Sequence, residues 1–178
     1  MFSNLENIEN IDFSKFDTSE VFYMGCMFKQ STFTSLDLSF FNTSKVIHTK
    51  DMFSGCNQLL SLNLVRFDIS NVNHMHNMFY GCSKLVSLNL NNFKTSKATS
   101  MHHMFYGCSS LVSLNLHSFD FLKITNMTSM FEKINDNLIY CINETWENFI
   151  IYRDDVMLPK TAKLNFLKYV IKVIIFIV

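Results

Sequence analysis

Met78-Phe79-Tyr80-Gly81-Cys82 is one of three near-copies of a single phrase. Met52-Phe53-Ser54-Gly55-Cys56 stands 26 residues before it, Met104-Phe105-Tyr106-Gly107-Cys108 stands 26 after it, and Met130-Phe131 falls 26 further on. A fixed period of this size marks a solenoid, in which each coil buries its apolar face only against its neighbours. The other slots keep the same register. An apolar-x-x-apolar-x-apolar run recurs at Ile8/Ile11/Phe13, Phe33/Leu36/Leu38, Leu59/Leu62/Leu64, Leu85/Leu88/Leu90 and Leu111/Leu114/Leu116. Phe16, Phe41, Phe67, Phe93 and Phe119 follow these runs, and Met27-Phe28 closes the first unit. Five units therefore span residues 5–131, the first step being 25 residues because the turn after Phe28 is one residue shorter.

Two periodicities alternate within a unit. Ser61-Leu62-Asn63-Leu64 and its equivalents alternate polar and apolar residues, the pattern of a strand with one buried face. Val72, Met75, Met78-Phe79 and Cys82 follow at a spacing of three to four, which predicts a short helical or 3-10 segment, with Ser70 as its N-cap and Gly81 as its stop. The fold class expected is a leucine-rich-repeat solenoid of the α/β repeat kind. About five coils stack their parallel strands about 4.8 Å apart, and an irregular C-terminal cap covers the last one.

Phe16-Asp17-Thr18-Ser19, Phe41-Asn42-Thr43-Ser44 and the Met-Phe-x-Gly-Cys-x-x-Leu-x-Ser-Leu-Asn-Leu run resemble the BspA-like leucine-rich-repeat surface proteins with a 26-residue unit. The likeness covers roughly three quarters of the chain. It implies a surface-displayed protein associated with adhesion or host-protein binding, and hence a protein partner and a cell-surface or extracellular location. Met1 to Glu9 has neither a basic region nor an apolar core of signal-peptide length, so a cytoplasmic interaction scaffold of the same fold is the alternative.

Composition narrows the function. The formal net charge is zero and no Lys/Arg cluster occurs, so nucleic-acid binding has no electrostatic basis. Nineteen Phe and eleven Met are absorbed by the repeat slots as core ladders, which removes any need for a cofactor to explain them. No Gly-x-Ser-x-Gly elbow, phosphate-binding glycine loop or His-Glu-x-x-His is present, and no enzyme activity or cofactor is expected.

Cys56, Cys82 and Cys108 share a slot with Ser31 and Ile134, which reads as a small buried position holding free thiols. His48 and His74 share one slot, and His76 and His102 another. Imidazoles at coil spacing suit a metal, but no carboxylate completes the set, and the stronger reading is polar positions on an outer face. The candidate protein-binding face is the neutral ladder Ser61, Asn63, Ser87, Asn89, Ser113 and Asn115, which lets an extended partner approach closely. Leu62, Leu88, Leu114, Phe67, Phe93, Met78 and Met104 are expected in the core.

Past Phe131 the repeat dissolves. Residues 132–163 are read as the cap, with a final strand within Asn137 to Asn143, helical spacing of Trp146, Phe149 and Ile150, and Pro159 ending it. Residues 164–178 form an apolar tail, read either as a buried strand or as a truncated membrane anchor through which the chain associates with a membrane.

Overall fold

A computed structural model describes residues 2–6 and 11–141. Ile8, the helical part of the expected cap and the apolar tail lie outside the described residues. Among the described residues there are five three-residue strands: β1 (Ser35–Asp37), β2 (Ser61–Asn63), β3 (Ser87–Asn89), β4 (Ser113–Asn115) and β5 (Ile139–Cys141). They pair in parallel and in register with the repeat, Leu36 beside Leu62 and Leu88 beside Leu114. β5 continues the ladder inside the stretch expected to hold a final strand, with Ile139 beside Ser113. The arrangement is a solenoid-like stack of 26-residue coils. The strands fall into two sheets, β1-β2 and β3-β4-β5, and β2 and β3 are not joined.

The expected helical segment does not form: no helix occurs among the described residues. Its backbone amides alternate between two partners. Asn77, Phe79 and Gly81 donate to His102, Met104 and Tyr106 in the next coil, while Met78, Tyr80 and Cys82 donate three residues back, to Met75, Asn77 and Phe79. A helix would keep all of these bonds within the segment. Left-handed residues inside the segment and near its end prevent it, Asn77 at φ 56° and Gly81 at φ 68°. Asp51, His103 and Ser129 share the first of these slots, and Gly55 and Gly107 share the second, at positive φ throughout. Residues spaced at three to four thus mimic a helix in sequence while the backbone turns between coils. Ser70 is likewise no helix cap, since its amide donates to the Asp68 carboxylate in a local turn.

The core is a set of side-chain columns. Phe28, Phe53, Phe79, Phe105 and Phe131 stack with centroids 5.5–5.7 Å apart and nearly parallel planes. Each such pair adds about 0.5–1.5 kcal/mol beyond its area burial. Phe2 continues the column, stacked on Phe28 at 5.7 Å, and its amide donates to Met27 as the matching residue of a preceding coil would. Leu88, Leu114, Phe67, Phe93, Met78 and Met104 are buried as expected. Leu62 is not. It is only partly buried against the core, in the strand that does not pair with β3.

The cysteine slot is more than a small space. The Cys56, Cys82 and Cys108 thiols donate to the Phe28, Phe53 and Phe79 carbonyls at 3.0, 3.2 and 3.1 Å, and the Ser31 hydroxyl makes the same bond to Phe2 at 2.6 Å. All five cysteines are free. Burial pushes the Cys56 thiol up to about 11 and the Cys108 thiol up to about 12.

Candidate protein-binding face

Each coil brings its strand to one side of the stack, where the central Leu points inward and the flanking residues point out. Ser61, Asn63, Ser87, Asn89 and Ser113 are exposed and Asn115 is partly so. The structure thus places all six candidate residues on one side, three rungs of two. The face is interrupted between the Ser61/Asn63 rung and the Ser87/Asn89 rung, where the sheet is broken.

The asparagines are exposed but occupied. The Oδ1 atoms of Asn63, Asn89 and Asn115 accept from the amides of Val65, Asn91 and His117, two residues on, at 3.1–3.2 Å. Asp37 does the same for Ser39 at 3.0 Å, and this bond is the main reason its carboxyl sits below the usual range. These side chains close the turn after each strand, and the Asn63 side chain also bonds the Asp37 carboxylate. The serines are less committed, Ser61 sharing a bond with Ser35 at 3.0 Å.

Sequence reasoning missed the apolar column beside them. Leu60, Val86 and Val112 immediately precede the strand serines and are 51%, 46% and 40% exposed. The signal was present as two consecutive apolar residues, Leu59-Leu60, Leu85-Val86 and Leu111-Val112, where one-sided burial allows only the first to enter the core. An in-register column of exposed branched aliphatics next to a column of hydroxyls offers both desolvation and hydrogen bonding to a partner.

Five histidines, His48, His74, His76, His102 and His103, lie away from the strand face. His48 and His74 stack at 5.0 Å and His76 and His102 at 4.5 Å, with Tyr23, His103, Tyr80 and Tyr106 extending the run of rings. Burial holds His76 down at about 4, and the neighbouring His102 and Lys50 add to this. No group of three or more His, Cys, Asp or Glu side chains suited to a metal ion occurs among the described residues. The nearby Asp51 carboxylate is engaged by Lys29 Nζ at 3.4 Å and Asn77 Nδ2 at 3.3 Å.

The chain matches a family described as Mycoplasma protein of unknown function, DUF285, twice, over residues 1–85 and 60–147. It belongs to that family. The two matches overlap across β2 and together take in every described strand, so the repeat array itself is what the family shares. No curated protein and no solved structure matches the chain. Among the described residues no helix is long and apolar enough to cross a membrane.

Proposed function

We propose that this DUF285 member is a non-catalytic protein-binding module, a leucine-rich-repeat array of the BspA-like kind that works in adhesion at a cell surface. Its contact face is the strand side, where Leu60, Val86 and Val112 run beside Ser61, Ser87 and Ser113, with Asn63, Asn89 and Asn115 shaping the turns. The exposed aliphatic column carries this reading. Solvated strand faces have no use for three branched aliphatics in register, whereas an interface core does. An intracellular scaffold would use the same face on a cytoplasmic partner.

The test replaces Leu60, Val86 and Val112 together with Ser. Exposed positions of this kind change stability by about 0.5 kcal/mol each, so the variant folds. Immobilised parent and variant are compared for proteins retained from serum and from cytoplasmic extract. Saturable retention of a serum protein by the parent, lost in the variant, supports the adhesion reading; retention only from the extract supports the scaffold. Retention that the variant keeps would place binding away from the strand face.

A further inference from the structure

Several inter-coil contacts repeat along the array and are missing together at the junction between the coils of β2 and β3. In the Phe-Asx-Thr-Ser corner the Thr hydroxyl staples its coil to the next. Thr43 Oγ1 donates to the Asp68 carbonyl at 2.9 Å and accepts from the Asp68 amide at 2.7 Å. Thr18 does this with Asn42 and Thr95 with Asp120. The intervening coil has Ile69 in the Thr slot, which offers no hydroxyl to Lys94. Lys94 in turn replaces the Asp or Asn whose side chain accepts the amide two residues on, as Asp17, Asn42, Asp68 and Asp120 do.

The consequences converge there. The sheet is broken between β2 and β3. Leu38, Leu90 and Leu116 donate to Asn63, Asn115 and Cys141, but Leu64 has no such partner; Leu60, Val112 and Ile139 donate to the coil before them, but Val86 does not. Phe41 stacks on Phe67 and Phe93 on Phe119, with no such contact between Phe67 and Phe93. A cleft of about 300 Å³ opens between the coils, lined by Arg66, Phe67, Asp68, Asn92 and Lys94.

The far side of the same junction is intact. Asn77, Phe79 and Gly81 keep their bonds to the next coil, His74 pairs with Ser100, and Phe79 stacks on Phe105 at 5.6 Å. On the open side, Asn92 Nδ2 reaches across to the Leu64 carbonyl at 3.1 Å and the Phe67 carbonyl at 2.8 Å.

We propose that the array carries a built-in hinge between the coils of β2 and β3, with its spine on the Met-Phe side, its opening on the strand side and Asn92 as the latch. Ile69 and Lys94 create it by withholding the hydroxyl staple made at Thr18, Thr43 and Thr95 and the side-chain turn bond made at Asp17, Asn42, Asp68 and Asp120. The array then moves as two stacks, β1-β2 and β3-β4-β5, and the cleft widens as they part.

Residue-resolved amide hydrogen exchange on the full chain tests this. In the parent, Leu64 and Val86 exchange at least about tenfold faster than Leu90 and Val112, their bonded counterparts. Ile69→Thr combined with Lys94→Asp restores both bonds and slows Leu64 and Val86 at least about tenfold, leaving Leu90 and Val112 unchanged. Asn92→Ala hastens Leu64 and Val86 further. Equal protection of the four amides in the parent overturns the proposal. So does a folded double variant in which Leu64 and Val86 exchange as before. Should the double variant not fold, the parent comparison and Asn92→Ala decide, and an unchanged Leu64 rate in Asn92→Ala counts against the hinge.

Discussion

The Cys82 thiol donates to the carbonyl of Phe53, one coil back, at 3.2 Å, while Phe53 itself stacks under Phe79 of the Cys82 coil at 5.6 Å. One residue therefore meets the next coil twice, through its ring and through its carbonyl. Burial raises the Cys82 thiol well above its ordinary range, with the neighbouring Cys108 and Cys56 adding to the shift. Thiolate is the reactive species, so the thiol is chemically silent while the coil is closed. In the native protein an alkylating reagent at neutral pH modifies exposed Cys141 and spares Cys56, Cys82 and Cys108; in denaturant without reductant all five react. Mass spectrometry of the peptides checks this, and a disulfide-linked pair among the three buried residues would contradict it.

Leu88→Ala removes a fully packed side chain and costs about 2–5 kcal/mol. Leu62→Ala, at the equivalent place in the broken part of the sheet, removes a half-buried one and costs about half as much. Paired denaturant melts measure the difference. Equal losses would mean that Leu62 is packed as tightly as Leu88.

Thr49 interrupts the Met24, Met75, Met101 and Met127 column, and its hydroxyl is buried without a hydrogen-bond partner on the protein. Thr49→Val keeps the shape and removes the unpaired polar atom, which stabilises by about 1 kcal/mol. A rise in the denaturation midpoint with an unchanged slope is the expected result. A fall would show that the hydroxyl is satisfied.

Folded His76 titrates near 4, against about 6.5 for a free imidazole. Between these values the unfolded chain binds the extra proton, so stability is lost as pH falls from about 6.5 toward 4 and is insensitive to this group above that window. The groups facing it act in both directions: His102, Lys50 and His74 disfavour its charge and Asp51 favours it. His76→Phe keeps a ring stacked on His102 and removes the titration. Its melting temperature should drop less between pH 7 and pH 4.5 than that of the parent. Identical drops would assign the acid sensitivity to other groups.

The register, the strands and most of the core were legible because each slot is repeated and burial follows the strand period of two. The turn backbone was not: Asn77 and His103 adopt positive φ, which their residue types tolerate without requiring it, and a spacing of three to four fits a helix equally well. Leu62 was misjudged by treating its coil as identical to those of Leu88 and Leu114. The difference lies in two residues elsewhere, Ile69 and Lys94, whose importance is visible only once Thr43 is seen bonded to Asp68. The strand-face asparagines were correctly placed outside, yet their turn-closing bonds to Val65, Asn91 and His117 depend on geometry that no spacing reveals.

The alternation of amides along the Met-Phe segment has a genetic corollary. The amides of Asn77, Phe79 and Gly81 donate forward to the carbonyls of His102, Met104 and Tyr106, and those of Asp51, Phe53 and Gly55 donate to His76, Met78 and Tyr80 in the same way. The leaving surface of a coil on this side therefore matches the receiving surface of any other. An in-frame duplication or deletion of 26 codons creates no new kind of interface there. Copy number is thus a variable this architecture leaves open to inheritance, so relatives should differ in length by whole units sooner than in the chemistry of a coil.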